Sequence, residues 1–255
     1  MLRLAVLAGS TAVLAVLGYP PLQRPSPVRT AADTVQAGDQ LLDPSLLHPF
    51  SLRRNLTITR GDTVKPFGRQ SEQLASASLG GREVLLDVLT FETPNATTVD
   101  SSWVDPTTLQ PIRMRSSNAA RTVSLDFDRD RVRGATTPAN GDVATLDQDL
   151  GVRPFEWNMF GLAVSALPLR PGYRATMPVY VDRFQRLVWY GIEVVRDTSL
   201  VRASGYHSPM WEVLATPDSA APSARFWVSQ RHRFVDQVLV WEPGVSILYE
   251  RALEH

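Results

Sequence analysis

The sequence predicts a mainly β protein, built as a single large curved antiparallel sheet (an open half-barrel) with a buried apolar helix across its concave face. Three observations lead to this prediction. Short runs of alternating apolar and polar residues, separated by turn residues, follow one another from Ser51 onward. Residues 155–167 then form one segment with almost no polar face. Further strand-like runs continue from there to Ala252, and no repeat of fixed period or interdomain linker divides them.

The first residues predict a secretion signal and not a part of the fold. Arg3 supplies a positive start, and residues 4–17 are apolar or small and uncharged. We expect a signal peptide over residues 1–18, with an alternative cleavage as late as Ala32. An uncleaved membrane anchor is the rival interpretation, which we disfavour because the run is shorter than the roughly 20 residues that span a bilayer.

The next segment predicts a linker that leads into one folded unit. Residues 19–43 contain a group of prolines among polar residues, and such a composition buries too little surface to fold: Pro20, Pro21, Pro25 and Pro27. We therefore expect residues 19–43 to be a proline-rich linker and residues 44–255 to form a single half-barrel β domain.

Composition limits the partners and the compartment. The 26 basic and 26 acidic residues balance to zero net charge, so no broad field attracts nucleic acid. The chain has no cysteine, which excludes disulfides, thiolate metal sites, a cysteine nucleophile and a lipidated cysteine. We expect a periplasmic or secreted protein, peripheral to a membrane at most, with no nucleic-acid partner.

The first half of the folded region predicts an antiparallel meander. Leu56 and Ile58 alternate with Thr57 and Thr59, and similar runs follow after turns such as Gly80–Gly81. Residues 83–91 are apolar on both faces, which indicates a central or covered strand. The other predicted strands lie near residues 70–78, 99–103, 112–115, 123–127 and 131–133.

The apolar segment at residues 155–167 interrupts this pattern. Pro154 suits a first helical position, and Pro168 ends the segment. The helix is either a core element that plugs the sheet, which we favour, or a movable plug that lines a ligand cavity. For Glu156 we favour a carboxylate that faces the positive end of the helix dipole over a buried carboxyl with a raised pKa.

Strand signals return after Pro171–Gly172. Turn residues separate the runs, and their spacing is typical of a sheet with many strands. The predicted strands cover residues 173–181, 186–196, 200–203 with 210–215, 224–228, 234–241 and 245–252.

No motif predicts catalysis, a metal or a cofactor. A nucleophile elbow, a phosphate-binding glycine loop and a metal-binding histidine pair are all absent from the sequence. Asp126, Asp128 and Asp130 have the early spacing of a calcium loop, but Arg131 stands where glycine is needed and Thr137 where glutamate is needed. We interpret these aspartates as a charged hairpin tip and predict no catalytic residue, no metal ligand and no cofactor.

Large apolar side chains are the better indication of a binding surface. Tryptophans fall in successive predicted strands, where rings can stack across one face. Most are expected to fill the core, but some can line an open hollow that receives an apolar ligand. The candidate lining residues are Trp157, Phe160, Val164, Trp189, Trp211 and Trp227.

Several passages resemble an uncharacterised bacterial envelope family. Residues 165–173 (SALPLRPGY) resemble its helix end and "L-R-P-G" passage, and residues 224–229 (ARFWVS) resemble one of its strands. Residues 103–113 are similar to its "W-x-D-x-x-T-L-x-P" hairpin, and residues 235–253 resemble its closing strands. The resemblance implies a signal peptide and an open half-barrel similar to that of the periplasmic lipoprotein carriers, and it carries over no catalytic residue.

Three functions remain open at this point. The first is a non-enzymatic periplasmic or secreted carrier or chaperone for a lipid, an acylated ligand or another apolar ligand. The second is a structural or interaction protein of the envelope, with a filled core and no ligand, for which an envelope protein is a possible partner. The third, which we favour least, is a hydrolase of glycans, which requires two carboxylates that converge in a cleft.

Overall fold

The computed structural model describes residues 32–201 and 207–252. In this part of the chain it contains sixteen strands, one short α-helix and two single-turn 3₁₀ helices (Pro44–Leu46 and Asp182–Phe184). In chain order the other elements are β1 Asp33–Thr34, β2 Phe50–Arg60, β3 Thr63–Leu79, β4 Arg82–Thr93, β5 Ala96–Val104, β6 Pro111–Ser117, β7 Arg121–Asp128, β8 Arg131–Pro138, β9 Ala144–Asp149, β10 Phe155–Glu156, α1 Phe160–Ser165, β11 Arg174–Val181, β12 Arg186–Val201, β13 His207–Pro217, β14 Ser223–Ser229, β15 Val235–Glu242 and β16 Val245–Arg251.

All sixteen strands belong to one sheet. Strands β2 to β9 form one antiparallel meander and β11 to β16 form a second, and the antiparallel pair of β16 with β2 joins the two. Strands β1 and β10 each add two residues to β11 in parallel. Over the described residues the sheet ends at β9 and does not close into a barrel, which confirms the predicted class of a mainly β, open sheet.

The sheet curls until its far regions meet. Eight strands separate β11 from β5 in the sheet order. Nevertheless, Glu156 beside β11 bonds with Ser102 on β5, and the rings of Tyr180 on β11 and Phe127 on β7 meet edge to face at 5.7 Å. The concave face therefore encloses an interior between β10–β11 on one side and β4–β7 on the other.

The main hydrophobic core fills much of this interior. Phe160, Leu162 and Val164 of α1 are buried in it together with side chains of β11 to β15. A second cluster lies between β6, β7 and β8 and is capped by Tyr180. Burial of α1 on the concave face confirms that part of the predicted fold class.

The helix is much shorter than the predicted segment at residues 155–167. Phe155 and Glu156 pair with Val179 and Tyr180 as a parallel strand, and helical structure covers only Phe160–Ser165. The difference has a local cause, because the Glu156 side chain accepts hydrogen bonds from the amide of Asn158 and from Ser102, which hold it in the strand.

The predicted linker boundary at residue 43 is wrong. Asp33 and Thr34 form β1, and Val35 and Ala37 are completely buried. The amide of Asp43 donates to the carbonyl of Ala166 at 2.9 Å, so this segment is packed beside the end of α1. This part of the chain joins the fold because its few apolar residues enter the core. The linker prediction missed them because it was based on the prolines of the wider segment. The predicted signal peptide lies outside the described residues.

Candidate functional site: a pocket between α1 and the concave face

A pocket of about 100 Å³ separates the start of α1 from the concave face of the sheet. This is several times the roughly 10–15 Å³ that one water molecule needs. Its walls come from three places. The segment around α1 contributes Trp157, Asn158, Phe160, Gly161 and Leu162; strands β14 to β16 contribute Ala224, Phe226, Val235, Val238, Val240 and Tyr249; and strands β2 to β4 contribute Arg54, Gln70, Glu72, Leu89 and Phe91.

Aromatic rings form the wall on the side of α1. The Phe160 ring lies 4.9 Å from Tyr190, 5.6 Å from Phe226 and 5.8 Å from Trp157, measured between centroids. Gly161 permits this close approach of α1 to the sheet, because a Cβ atom there would lie 3.2 Å from a Val235 methyl and 3.5 Å from Phe226. Phe160 is fully buried and Trp157 is half-buried, so Trp157 is the more accessible aromatic side chain of the wall.

Arg54 dominates the polar wall, although it is 98% buried. Because side chains alternate along a strand, Arg54 shares the concave face with Leu52 and Leu56. Its guanidinium donates to Gln70 Oε1 at 2.8 Å, to the Glu72 carboxylate and to the carbonyl of Val235. These bonds join β2 to β3 and to the start of β15, so that one buried ion pair braces the wall of the pocket.

Beyond Arg54, further acidic side chains lie in the interior. We call Glu72, Asp87, Asp100, Glu156 and Asp182 the carboxyl cluster. Asp87 on β4 faces Leu74 and Ser102 across its neighbouring strands, and neither of its carboxyl oxygens has a hydrogen-bond partner among the described residues. Glu156 is 1% exposed and bonds with Ser102 Oγ at 2.7 Å. The cluster therefore connects the sheet at β3 to β5 with the segment that carries the aromatic wall.

Burial raises the pKa of several of these carboxyls. It raises the pKa of Glu156 to about 8, with the charges of Asp182 and Asp100 acting in the same direction. Burial likewise raises the pKa of Asp100 to about 6 and that of Asp87 well above its ordinary range. The pKa of Asp182 is also raised by burial, although Arg121 lies 3.9 Å away. Glu156 lies in β10 and is buried, whereas α1 begins only at Phe160, so the favoured prediction of a carboxylate at a helix start is wrong.

Only two of the six predicted lining residues reach the pocket. Trp157 and Phe160 form its wall, whereas Val164 is buried in the main core and Trp211 packs against that core elsewhere on the concave side. The prediction for Trp189 and Trp227 is wrong. Each lies between two residues of the concave core, so its own side chain faces the convex side.

The described residues include no group of three or more His, Cys, Asp or Glu side chains that could hold a metal ion. Although the carboxyl cluster has five acidic members, its geometry therefore does not form a cation site. The chemistry available to the cluster is the binding and release of protons, because neighbouring carboxyls in a buried site cannot all be ionised at once.

The polar wall and the carboxyl cluster are the features that sequence analysis missed. One signal was visible. Asp87 interrupts the run Val84–Leu85–Leu86–Asp87–Val88–Leu89, which indicates a central or covered strand, and a carboxyl in such a strand is expected to be buried. Arg54, Gln70 and Glu72 carried no such signal, because polar residues in an alternating strand are ordinarily assigned to the wet face.

The described part of the chain contains no helix of the length and apolar character needed to cross a membrane.

In fold, the chain is similar to the crystal structure of a beta-barrel-like protein of a domain of unknown function, DUF1849, from Brucella abortus. The TM-score is 0.51 at 11% identity, with 81% of this chain and 96% of that chain covered. At this identity the likeness concerns the fold alone. A search of curated proteins found no match.

One family model matches most of the folded region. Residues 57–242 match DUF3108, a family described as a protein of unknown function. The match spans β3 to β15 completely and contains most of the pocket walls, and it confirms the expectation of a family without assigned chemistry. This chain belongs to the DUF3108 family.

Proposed function

We propose that this chain is a non-enzymatic binding protein of the cell envelope that takes a small apolar ligand, or the end of an acyl chain, into the pocket beside α1. The observation that carries the proposal is the composition of the pocket. Rings of Trp157, Phe160 and Phe226 line one side, and the braced ion pair of Arg54 with Glu72 lies on the other. Pockets for small ligands typically combine an apolar lining with a few fixed polar groups.

The likeness to lipoprotein carriers supports the acylated ligand within this proposal. The resemblance in the sequence implied a half-barrel with a helix over its hollow, and a curled open sheet with α1 on its concave face is compatible with such a carrier. The size of the pocket favours a short apolar group over a whole lipid, since the main core fills the remainder of the interior.

The arrangement of the acidic residues supports a role without catalysis. Glycoside hydrolysis needs two carboxyl groups on either side of a bond that substrate and water can both reach. Asp87 and Glu156 are each 1% exposed, so neither carboxyl is open to both a substrate and water. We therefore do not propose glycan hydrolysis for this chain.

The location in the periplasm or outside the cell is part of the proposal. It is supported by the charged start, the apolar run at residues 4–17 and the absence of a cysteine for lipidation. A zero net charge argues against nucleic acid as a partner.

An envelope protein with a filled core and a protein partner is the second candidate. The extent of the main core favours it, because Phe160, Leu162 and Val164 are packed among other apolar side chains of the chain itself. The two candidates differ in one measurable property, which is whether the pocket takes up an apolar probe.

The test is titration of the purified protein with N-phenyl-1-naphthylamine, an apolar dye that fluoresces in apolar surroundings. We expect a saturable rise in fluorescence that fatty acids reverse by competition. Substitution Trp157→Ala removes the accessible ring of the wall and is expected to weaken binding about tenfold, which corresponds to about 1.4 kcal/mol. Trp189→Ala is the matched control, since it removes the same side chain from the convex face.

Two results would contradict the proposal. The absence of saturable binding by the unaltered protein would favour the second candidate. Equal loss of affinity in Trp157→Ala and Trp189→Ala, with both variants folded by circular dichroism, would show that the dye binds elsewhere.

A further inference from the structure

A short corner, residues 155–159, comprises β10 and the turn that leads from it into α1. This corner contains Glu156 of the carboxyl cluster and, directly after it, two side chains of the pocket wall, Trp157 and Asn158. The backbone of the corner is tied to the sheet by the two-residue pairing with β11 and by the bond from the Trp157 amide to the Tyr180 carbonyl at 3.2 Å. A movement of the Glu156 carboxyl therefore directly affects the positions of Trp157 and Asn158 in the pocket wall.

Glu156 holds the corner to the far side of the sheet. Its Oε2 accepts from Ser102 Oγ at 2.7 Å, and its Oε1 accepts from the amide of Asn158 at 3.0 Å. The first bond crosses the interior from β10 to β5, and the second fixes the turn that follows. A single buried carboxyl thus determines both where the corner docks and how it turns.

The surroundings of Glu156 contain more acidic than basic groups. Asp100 and Ser102 face it from β5, Asp87 from β4 and Asp182 from the 3₁₀ turn after β11. The hydroxyl of Tyr180 faces Asp182, and Glu72 on β3 faces Asp87.

Among the residues that the structure describes, three guanidiniums face the carboxyl cluster, and one of them, Arg54, is already paired with Glu72. Arg54 faces Asp87, and both Arg121 and Arg183 face Asp182. The five carboxyls outnumber the three cations, and unpaired buried charge is strongly unfavourable. The docked position of the corner therefore depends on protons bound to the carboxyl cluster.

We propose that the corner at residues 155–159 is a proton-controlled wall of the pocket. With Glu156 protonated, the corner stays docked on Ser102 and the pocket is closed. When Glu156 loses its proton, its carboxylate is more stable in water than in the buried interior. The corner then moves away from the sheet together with Trp157 and Asn158. As regulation of the same pocket, this inference rests on the proposed binding function for its use, but its test needs no ligand.

The size of the effect follows from proton linkage. A carboxyl that is protonated in the closed form and ionised in the open form makes the opening equilibrium rise about tenfold for each pH unit. For Glu156 this holds between its ordinary pKa of 4.5 and its raised pKa of about 8. Opening of the corner therefore increases as pH rises through this window and becomes constant above it.

The experiment is hydrogen exchange of the full chain between pH 5 and 9, corrected for the intrinsic rate of exchange, with the amides of Trp157 and Asn158 as reporters. We expect their protection to fall about tenfold for each pH unit up to about pH 8. It should also stay below the protection of the β14 amides at every pH, because the corner opens without global unfolding.

Glu156→Gln retains the shape of the neutral acid and is expected to abolish this slope. Glu156→Met is a second uncharged variant in case the first does not fold. Ser102→Ala is the matched control, which should lower protection at every pH and leave the slope unchanged.

Three outcomes would overturn the inference: a flat profile in the unaltered protein, the same slope in both uncharged variants, or corner protection equal to that of β14. The dye titration is separate from all of these measurements. A protein that binds no dye but shows the slope would refute the proposed function and retain the inference, and the reverse result would refute the inference alone.

Discussion

Ser102 and Glu156 lie on strands that are far apart in the sheet, yet Ser102 Oγ donates to Glu156 Oε2 at 2.7 Å in a place where both side chains are 1% exposed. The bond joins β5 to β10 across the concave side. Since the curl of an open sheet is not fixed by its own ladder of hydrogen bonds, contacts of this kind determine how far the sheet closes over its interior.

Loss of this bond should destabilise the fold measurably. Ser102→Ala leaves Glu156 Oε2 without a partner in the interior, and a buried polar group left unpaired costs about 1–3 kcal/mol. We expect the free energy of unfolding in urea at pH 6 to fall by this amount. Ser101→Ala is the control, because Ser101 precedes it on the opposite face of β5, and a change within about 0.5 kcal/mol is expected there. Equal effects of the two substitutions would contradict the role assigned to the bond.

Stability should decrease as pH rises from acidic to mildly alkaline values. The folded state binds the Glu156 proton more tightly than the unfolded chain, with a pKa of about 8 against 4.5. Its contribution is therefore fully present below pH 4.5 and is lost as pH rises to about 8. Asp100, whose pKa is raised by burial to about 6, acts in the same direction over a narrower range.

One surface carboxyl opposes this trend at low pH. Although partial burial acts to raise it, hydrogen bonds from Thr107, Arg82 and Thr108 lower the pKa of Asp105 to about 2. Its contribution is present above its ordinary pKa of 3.8 and is lost as pH falls through about 2. We expect urea unfolding to show greatest stability near pH 4–5, and Glu156→Gln to flatten the decline above it. A rise in stability from pH 5 to 8 would contradict this prediction.

The local pattern of the sheet could be predicted from sequence, and its long-range closure could not. Alternation and turns located the hairpins from β2 to β8, because each depends on neighbours in the chain. The pair of β16 with β2 joins distant segments with no local signal. Strand β10 is only two residues long, and its pairing with β11 depends on the completed curl of the sheet.

The candidate site was predictable only where one face of a strand was clearly apolar. Trp157 and Phe160 were found because the segment around them is apolar throughout. Trp227 was misplaced because every residue from Ala224 to Ser229 is buried, so that the period of two which separates the faces is lost. Arg54 was missed because a buried guanidinium depends on partners from β3 and β15 that only the folded sheet assembles.

Arg54 should be among the most sensitive charged residues of the chain. Arg54→Met leaves the Glu72 carboxylate buried without its cation, and breaking a buried pair in this way costs about 3–5 kcal/mol. Chemical denaturation measures the loss, with Arg53→Met as the control, since Arg53 is exposed on the opposite face of β2. The double variant Arg54→Met/Glu72→Leu should recover part of the stability, and failure of either expectation would show that the pair does not brace the pocket.

A substitution at Phe160 allows the contribution of core packing to be measured separately from ligand binding. Phe160→Ala removes a buried ring that contacts Tyr190, Phe226 and Trp157, and the expected cost is about 3–5 kcal/mol. The substitution also enlarges the pocket. N-phenyl-1-naphthylamine should therefore raise the unfolding midpoint of this variant more than that of the unaltered protein, because a ligand that binds only the folded state stabilises it.

Phe127→Ala provides the comparison, since Phe127 is buried in the second cluster against Tyr180, away from the pocket. This variant should lose a similar amount of stability, because it also leaves a cavity. The dye should stabilise it no more than it stabilises the unaltered protein. If the dye raises both midpoints equally, it fills any cavity left by a lost ring, and the pocket beside α1 has no special affinity for apolar molecules.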